Sequence, residues 1–292
     1  MHKMLKGSGF KPQWMQGLAA LDVAHRDVPL SFTILFSHRL RIDVQQVAAA
    51  LRNFHPRMAS AEVHLDNRMA PDALLTGRAS WRKHVIEFKG FDSKMNAEDL
   101  ECCLMPSHFG DLSYKDSVRA HQSHVVLSYT GDSTSTLNQY VALAAFACCL
   151  YEQGAITVVN ELAHTCFPAD ALALGIAKGD RLTLLGTLPL PLLYCGFVKY
   201  EIEDEPGVWM RTFGAHVFGW PDFAVHADSH DQSEFFCDLF ASIWIYLRES
   251  GAQLAIGQTM DYGRIIATLT APSDEDYFLA SPGELFVLEI ED

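Results

Sequence analysis

The sequence of 292 residues contains none of the short motifs that mark the commonest catalytic and nucleotide-binding sites. It has no Walker loop and no GxGxxG pattern, so the backbone cradles that hold phosphates in many nucleotide-binding proteins are not indicated. It also has no HExxH zinc helix and no GxSxG elbow around a nucleophilic serine. These absences exclude only the classes that a local motif defines, because a site assembled from distant loops leaves no such pattern.

Long hydrophobic runs are also missing. The run at 141–151 is shorter than the ~20 residues that span a bilayer, and the run at 182–198 is interrupted by two prolines and by polar residues. Near the start of the chain, Gln13, Gln16 and Asp22 interrupt the apolar stretch that a secretory signal needs. We therefore expect a cytoplasmic protein that does not associate with membranes.

The seven cysteines contain no CxxC pair. Two pairs are adjacent, Cys102–Cys103 and Cys148–Cys149, and neighbouring cysteines do not close ordinary disulfides with each other. The ligand spacing of zinc ribbons is absent as well. The pattern predicts reduced thiols that are buried and pack as small hydrophobic side chains.

Basic residues are scarce in the second part of the chain. Up to Arg119 there are 16 basic and 13 acidic residues, whereas from Ala120 onward there are 6 basic and 23 acidic residues. The formal charge of −14 argues against a nucleic-acid partner. An acidic surface attracts cationic partners and speeds their encounter, although the charge is also explained by solubility alone.

Hydrophobic patterning predicts the fold class. A helix capped by Asp43 is expected to run to residue 54, because apolar residues recur there at spacings of three and four. A strand–helix–strand unit is expected over 123–159, and a right-handed crossover makes its two strands parallel. A hairpin at 192–212 and a helix at 233–249 follow. This mixture predicts an α+β fold with a mixed β-sheet and packed helices.

The sequence predicts an N-terminal arm at 1–28 and an α+β domain at 29–292. We predict one domain for 29–292. The alternative is two halves that meet near 160–185, where a turn at Gly179 separates the predicted elements.

A series of short segments between residues 117 and 263 has a characteristic order. They are SVRAH at 117–121, GAI at 154–156, LPLPL at 188–192, TFG at 212–214, a long helix over 236–247 and GQTM at 257–260. This order resembles the bacterial family called domain of unknown function 4261. The resemblance implies a fold and no particular activity. Gln258 stands where the family commonly has an acidic residue.

One local group suggests a metal site. On a strand, His226, Asp228 and His230 would face the same side, and two imidazoles with a carboxylate suit zinc or non-haem iron. The competing interpretation is a helix cap, which would destroy the alternation. Its candidate residues are Ser229 or Asp231 with Gln232 or Glu234. We expect no bound metal or cofactor and keep the three residues as candidate ligands.

Two further pairs have metal-ligand spacing. Glu161 and His164 show the i, i+3 spacing of di-iron bundles, but no second such pair occurs in the sequence. His121 and His124 lie at a predicted helix-to-strand junction, where they are either a metal or anion site or, in the interpretation that we favour, a polar junction with local hydrogen bonds.

The first hypothesis for function is a non-catalytic bacterial interaction protein. In its most specific form it is immunity-like, and its acidic C-terminal half covers a basic toxin or effector protein. The predicted binding residues are Glu201, Glu203, Asp204, Glu205, Asp228 and Asp231. The alternatives are a metal-assisted hydrolase, built on His226, Asp228 and His230 or on His121 and His124, and a subunit of a larger assembly.

Overall fold

The computed structural model describes residues 3–4, 29–66, 72–107, 111–203, 205–263 and 265–291. The strands in these ranges are β1 (Lys3–Met4), β2 (Ser31–Phe36), β3 (Glu62–Leu65), β4 (Leu75–Trp81), β5 (His84–Phe91), β6 (Ser123–Tyr129), β7 (Ala155–Asn160), β8 (Thr165–Pro168), β9 (Gly196–Ile202), β10 (Val208–Phe213), β11 (Asp222–Ala227), β12 (Thr259–Asp261), β13 (Ile266–Thr270) and β14 (Leu285–Ile290). The α-helices are α1 (Val44–Phe54), α2 (Ala97–Leu104), α3 (Leu112–Arg119), α4 (Thr136–Tyr151), α5 (Ala169–Gly175), α6 (Arg181–Gly186), α7 (Leu190–Leu193) and α8 (Ser233–Ser250).

The strands form two seven-stranded sheets. The N-terminal sheet has the order β3-β4-β5-β6-β2-β7-β8, and the C-terminal sheet has the order β1-β9-β10-β11-β14-β13-β12. All neighbours in the N-terminal sheet are antiparallel, whereas β1–β9 and β11–β14 in the C-terminal sheet are parallel. The predicted α+β class with a mixed sheet is confirmed.

Helix α4 organises the N-terminal sheet. Ten of its sixteen residues are buried, because it is apolar on nearly every side and packs among the sheet and helices α1, α5 and α6. It connects β6 to β7, which both pair antiparallel with β2 and so run parallel to each other, as predicted. Helices α2 and α3 contribute to a second apolar cluster with β2, β7 and β8, around Leu35 and Val159.

Helix α8 covers one face of the C-terminal sheet. Its buried side includes Phe240 and Trp244, whose rings lie 5.8 and 6.3 Å from the ring of Phe223 on β11. On the other face, Phe278 packs edge-on against Trp209 of β10. The helix ends at Gly251, whose φ of 67° lies in the left-handed region that favours glycine.

The two sheets share one apolar core. Tyr140 of α4 stacks at 5.5 Å on Phe32 of the N-terminal sheet, at 5.4 Å on Tyr194 and at 5.8 Å on Phe218, a residue of the turn before β11. Gly196 begins β9 directly against the backbone of residue 163, and this close approach leaves no room for a side chain.

Several elements differ from the sequence-based expectations. Strand β4 was not expected from the sequence, whereas α3 is the helix that precedes the predicted junction at His121 and His124. The prolines and polar residues of 182–198 are typical of a loop that leads into a strand, but α6 and α7 lie there before β9. The sequence at 216–225 is typical of a strand that is broken around 219–221, but this segment is a 3-10 turn followed by β11. The sequence of β14 is compatible with an edge strand, but β14 lies between β11 and β13. The predicted arm at 1–28 lies outside the described residues, except for Lys3–Met4.

Candidate functional site

The net negative charge of the protein is carried by the part of the chain that forms most of the C-terminal sheet and helix α8. Residues 196–292 contain eighteen acidic and four basic residues, whereas residues 1–195 contain eighteen of each. The sheet boundary therefore divides the chain into a neutral part and a part that carries the whole net charge of −14.

The acidic residues of this part are largely exposed and the basic ones are not. Arg211 is fully buried, Lys199 is half-buried, Arg264 lies outside the described residues, and Arg248 is exposed. Eleven exposed acidic residues occur in the same part: Asp228, Asp231, Glu234, Asp238, Glu249, Asp261, Asp274, Glu275, Glu284, Glu289 and Glu291. The surface of the described C-terminal part is consequently strongly negative.

Two predicted binding segments meet at one end of the C-terminal sheet. Glu201 Oε1 of β9 lies 3.3 Å from His230 Nε2, and Glu205 Oε1 in the β9–β10 turn lies 3.5 Å from His226 Nε2. The indole nitrogen of Trp209 also donates to Glu205 Oε1 at 3.2 Å. These contacts hold the β9–β10 turn against the end of β11.

The pleat of the sheet places the two glutamate–histidine pairs on opposite faces. His226 lies opposite Trp209 in the β10–β11 register, and their rings stack at 5.1 Å. Glu201 lies one residue further along β9, in the row of paired residues that also contains Val208 and Ala227. The side chains of this row face α8. The predicted carboxylates therefore surround the end of the sheet. Glu203 is half-buried here, and Asp204 lies outside the described residues.

The turn after β11 is a cap and does not continue the strand. The hydroxyl of Ser229 accepts a hydrogen bond from the Asp231 backbone N–H at 3.3 Å, and Oε1 of Gln232 accepts one from the Asp228 N–H at 2.8 Å. The side chains of Asp228 and Asp231 remain exposed. The capping interpretation is correct for Ser229, which caps the 3-10 turn at His230–Gln232, but α8 follows Gln232 without a side-chain cap hydrogen bond.

The expected alternation of His226, Asp228 and His230 along a strand is wrong, because β11 ends at Ala227. The imidazoles instead contact Glu205 and Glu201 on opposite faces. Among the described residues, no group of three or more histidine, cysteine, aspartate or glutamate side chains is arranged to hold a metal ion.

His121 and His124 form the polar junction that we favoured. Nε2 of buried His121 accepts from the Met95 N–H at 2.9 Å, so its Nδ1 donates to the Val118 carbonyl at 2.7 Å. His124 is hydrogen-bonded to the Ser93 carbonyl through Nδ1. Burial lowers the pKa of both imidazoles, and the hydrogen bonds of His121 and of His124 Nδ1 fix main-chain groups of the junction.

Glu161 and His164 point to different neighbours. Glu161 accepts a hydrogen bond from the Thr33 hydroxyl at 2.8 Å, whereas the His164 ring lies 4.4 Å from the ring of Phe213. Burial, helped by the nearby Arg211 charge, lowers the pKa of His164 to about 4. The pair occupies a 3-10 turn and its two side chains do not converge on one site.

All seven cysteines are free thiols, and five of them are buried. The exceptions are Cys102 and Cys237, which are partly exposed. Burial raises the pKa of both to about 11, with a further contribution from neighbouring carboxylates. Both thiols are therefore protonated at neutral pH and are weak nucleophiles. The predicted burial holds for the other five cysteines and not for these two.

The sequence reasoning missed a buried pair of opposite charges. Arg211 of β10 and Asp222 of β11 are both fully buried. Nη1 of Arg211 donates to the carbonyls of Phe278 and Ala280, at 3.3 and 3.1 Å, and its guanidinium carbon lies 3.8 Å from the centre of the Phe213 ring. The signal in the sequence was an arginine within the otherwise apolar start of a strand, VWMRTF.

Like Arg211, Asp222 attaches the segment 271–284, which connects β13 to β14, to the C-terminal sheet. Its Oδ2 accepts from the Ser281 hydroxyl at 3.3 Å, and its Oδ1 accepts from the Thr212 hydroxyl at 2.9 Å. Burial raises its pKa, and the Arg211 charge opposes this effect. The hydrogen bonds of Arg211 therefore fix the main chain of the 271–284 segment. Those of Asp222 fix the hydroxyls of Thr212 and Ser281.

A surface cavity of about 290 Å³ adjoins this attachment, with Ala280 and Ser281 in its wall. Asp276 is the titratable side chain among the residues that line it. General acid–base catalysis commonly uses two positioned groups with different pKa values. The residues that line this cavity provide one titratable side chain.

Comparison with known protein families, curated proteins and solved structures finds no match for the chain. No helix in the described part of the chain has both the length and the apolar character needed to cross a bilayer. The resemblance to domain of unknown function 4261 stays a prediction.

Proposed function

We propose that the protein is a non-catalytic interaction protein of the bacterial cytoplasm, with its acidic C-terminal part binding a basic protein. In its specific form the partner is a toxin or effector, and this protein neutralises it as an immunity protein does. The observation that supports the proposal is the segregation of charge: eleven exposed carboxylates and one exposed arginine occur among the described residues from 196 onward.

The proposed contact residues are arranged to act together. Glu201 and Glu205 anchor the β9–β10 turn beside the turn that carries Asp228 and Asp231. Long-range attraction between opposite charges speeds association, and the approach weakens as salt screens it. The same surface repels the phosphates of nucleic acid, so a protein with clustered lysines or arginines is the fitting partner.

The alternative of a metal-assisted hydrolase has no observation in its favour among the described residues. Such an enzyme needs ligands that converge on one ion and leave an open coordination position. His226 and His230 face opposite sides of the sheet, and His121 uses both ring nitrogens for main-chain contacts.

The test is a charge-reversal variant measured against the basic proteins encoded by neighbouring genes. The variant Glu203→Lys/Asp228→Lys/Asp231→Lys should weaken binding about tenfold or more and reduce its dependence on salt between about 0.01 and about 0.15 M. Titration calorimetry at both salt concentrations measures the dissociation constant.

The matched control reverses three exposed carboxylates outside the C-terminal sheet, Asp66→Lys/Asp132→Lys/Glu152→Lys, which changes the net charge equally. The control should bind within about twofold of the unmodified protein. Equal weakening by both variants would refute a localised interface. The proposed function is wrong if none of the basic neighbours binds the unmodified protein.

A further inference from the structure

The acidic surface continues along the exposed side of helix α8. Glu234, Asp238 and Glu249 are exposed, and their positions repeat at intervals that keep them on one face of the helix together with Ile245. This face begins directly after the turn that carries Asp231. At 1.5 Å per residue, the eighteen residues of α8 extend the surface by about 27 Å.

An exposed apolar group interrupts this acidic face. Ile245 and Tyr246 of α8 are 46% and 56% exposed, and Tyr262, which follows β12, is 40% exposed. The Tyr262 hydroxyl lies 3.0 Å from the hydroxyl of Ser242, one helical turn before Tyr246. We call Ile245, Tyr246 and Tyr262 the apolar patch.

The surroundings of the apolar patch match the composition of a protein interface. Protein interfaces have an apolar, aromatic-rich centre and a polar rim, and tyrosine is frequent among the residues whose truncation weakens binding most. Asp238, Glu249 and Asp261 are the exposed carboxylates next to the patch in sequence. Beside it, β12 is the last strand of the C-terminal sheet, and no strand of the described chain pairs with its outer edge.

Exposed apolar side chains are concentrated in this region. Ten large hydrophobic residues of the described chain are exposed, and six of them lie between residues 245 and 290. Single exposed apolar side chains are ordinary, but a concentration of them within a charged surface marks a contact site.

We infer that the apolar patch is the centre of the interface for the basic partner, and that it receives an apolar or aromatic side chain flanked by lysines or arginines. This inference rests on the proposed function and adds the contact that provides affinity. The carboxylates around the patch complement the partner's charge, while the two tyrosines and Ile245 provide the apolar area that excludes water.

The test uses the double variant Ile245→Ser/Tyr246→Ser with the basic partner found by calorimetry. We expect binding to weaken about tenfold or more while the slope of affinity against salt is unchanged, because no charge is altered. The matched control is Leu112→Ser/Leu174→Ser, two leucines that are 79% and 61% exposed and lie outside the C-terminal sheet. The control should leave binding unchanged, and thermal melting should confirm that both variants are folded.

A pair of synthetic peptides tests the patch independently of that partner. One peptide alternates lysine with tryptophan, and the other replaces every tryptophan with alanine. The unmodified protein should bind the tryptophan peptide about tenfold more tightly, and the Ile245→Ser/Tyr246→Ser variant should bind both peptides equally. Fluorescence anisotropy of labelled peptides measures the two affinities.

The results separate the two ideas. If the partner binds the unmodified protein and the patch variant equally well, the inference is wrong while the proposed function stands. If no basic protein binds, the proposed function is wrong, and equal binding of the two peptides by the unmodified protein then overturns the patch as well. Self-association that the patch variant abolishes, seen by light scattering, would assign the patch to a second copy of this chain and overturn the inference.

Discussion

The residues whose ionisation the fold alters most are buried ones, and His164 is the clearest case. Its φ of 46° places it in the left-handed region, where its ring packs on Phe213 within reach of the Arg211 charge. The folded protein therefore favours the neutral imidazole. Asp222 shows the opposite direction, because burial raises the pKa of a carboxyl group.

The lowered pKa of His164 predicts a loss of stability in mild acid. As the pH falls below the ordinary value of 6.5, the imidazole is protonated in the unfolded chain but stays neutral in the folded protein until about pH 4. Between about pH 7 and pH 5 the unmodified protein should lose about 1–2 kcal/mol more stability than His164→Asn, since asparagine tolerates the backbone conformation and does not titrate.

Urea unfolding of both proteins at the two pH values measures this difference. The other shifted groups, including His121 and Asp222, are present in both proteins, so their contributions cancel. Equal losses on acidification would show that His164 titrates alike in the folded and unfolded protein.

At the scale of elements, strong local signals predicted their structures correctly and weak ones did not. Asp43 caps α1 by accepting from two backbone N–H groups, as its position before an amphipathic run indicated. Gly251, a common residue type directly after a helix, ends α8 in the left-handed conformation. The loop predicted within 182–198 was wrong because the prolines at 189 and 191 suggested that no helix could form there. Proline is compatible with the first turn of a helix, and Pro191 lies in the first turn of α7.

At the start of β9, the backbone packs directly against the turn at 161–163. Adding a single methyl group at this position should therefore lower the stability of the protein strongly. A Cβ at Gly196 would overlap the Ala163 carbonyl oxygen, so Gly196→Ala should destabilise the protein by more than about 3 kcal/mol. Gly175 is the control, because a Cβ there would meet nothing within 4 Å.

Gly175→Ala should leave stability unchanged or raise it by up to about 1 kcal/mol, since alanine lowers the entropy of the unfolded chain. Denaturant unfolding of both variants provides the comparison. Similar midpoints for the two would mean that the backbone at Gly196 moves to accommodate a side chain.

At the scale of the molecule, the apolar core is continuous between the two sheets, whereas the net charge is confined to the C-terminal part. The apolar cluster includes residues of both sheets, with Tyr140 in contact with both parts. The net charge, in contrast, lies entirely in the part from residue 196 onward, because the charges of residues 1–195 balance. We therefore expect the two sheets to unfold together although they present different surfaces.

Hydrogen exchange tests this coupling. Slowly exchanging amides of β2 and β10 should report the same free energy of opening, because the shared core makes unfolding cooperative. Tyr140→Ala should lower both values together by about 3–5 kcal/mol, as expected for loss of a buried aromatic ring. Two distinct opening energies in the unmodified protein would favour the alternative of two separate halves.

The sequence alone was enough to predict the α+β class, helices α1, α4 and α8, the β9–β10 hairpin and the position of the excess negative charge. These properties follow from composition, short-range periodicity and capping, which act within a few residues. The tertiary structure was needed to show that His226 and His230 lie on opposite faces of the sheet, each beside a glutamate, and that Arg211 and Asp222 are buried together. It also brings the Tyr262 hydroxyl to the hydroxyl of Ser242 on α8. Such contacts depend on which strands become neighbours, and strand order is set by the packing of the whole core.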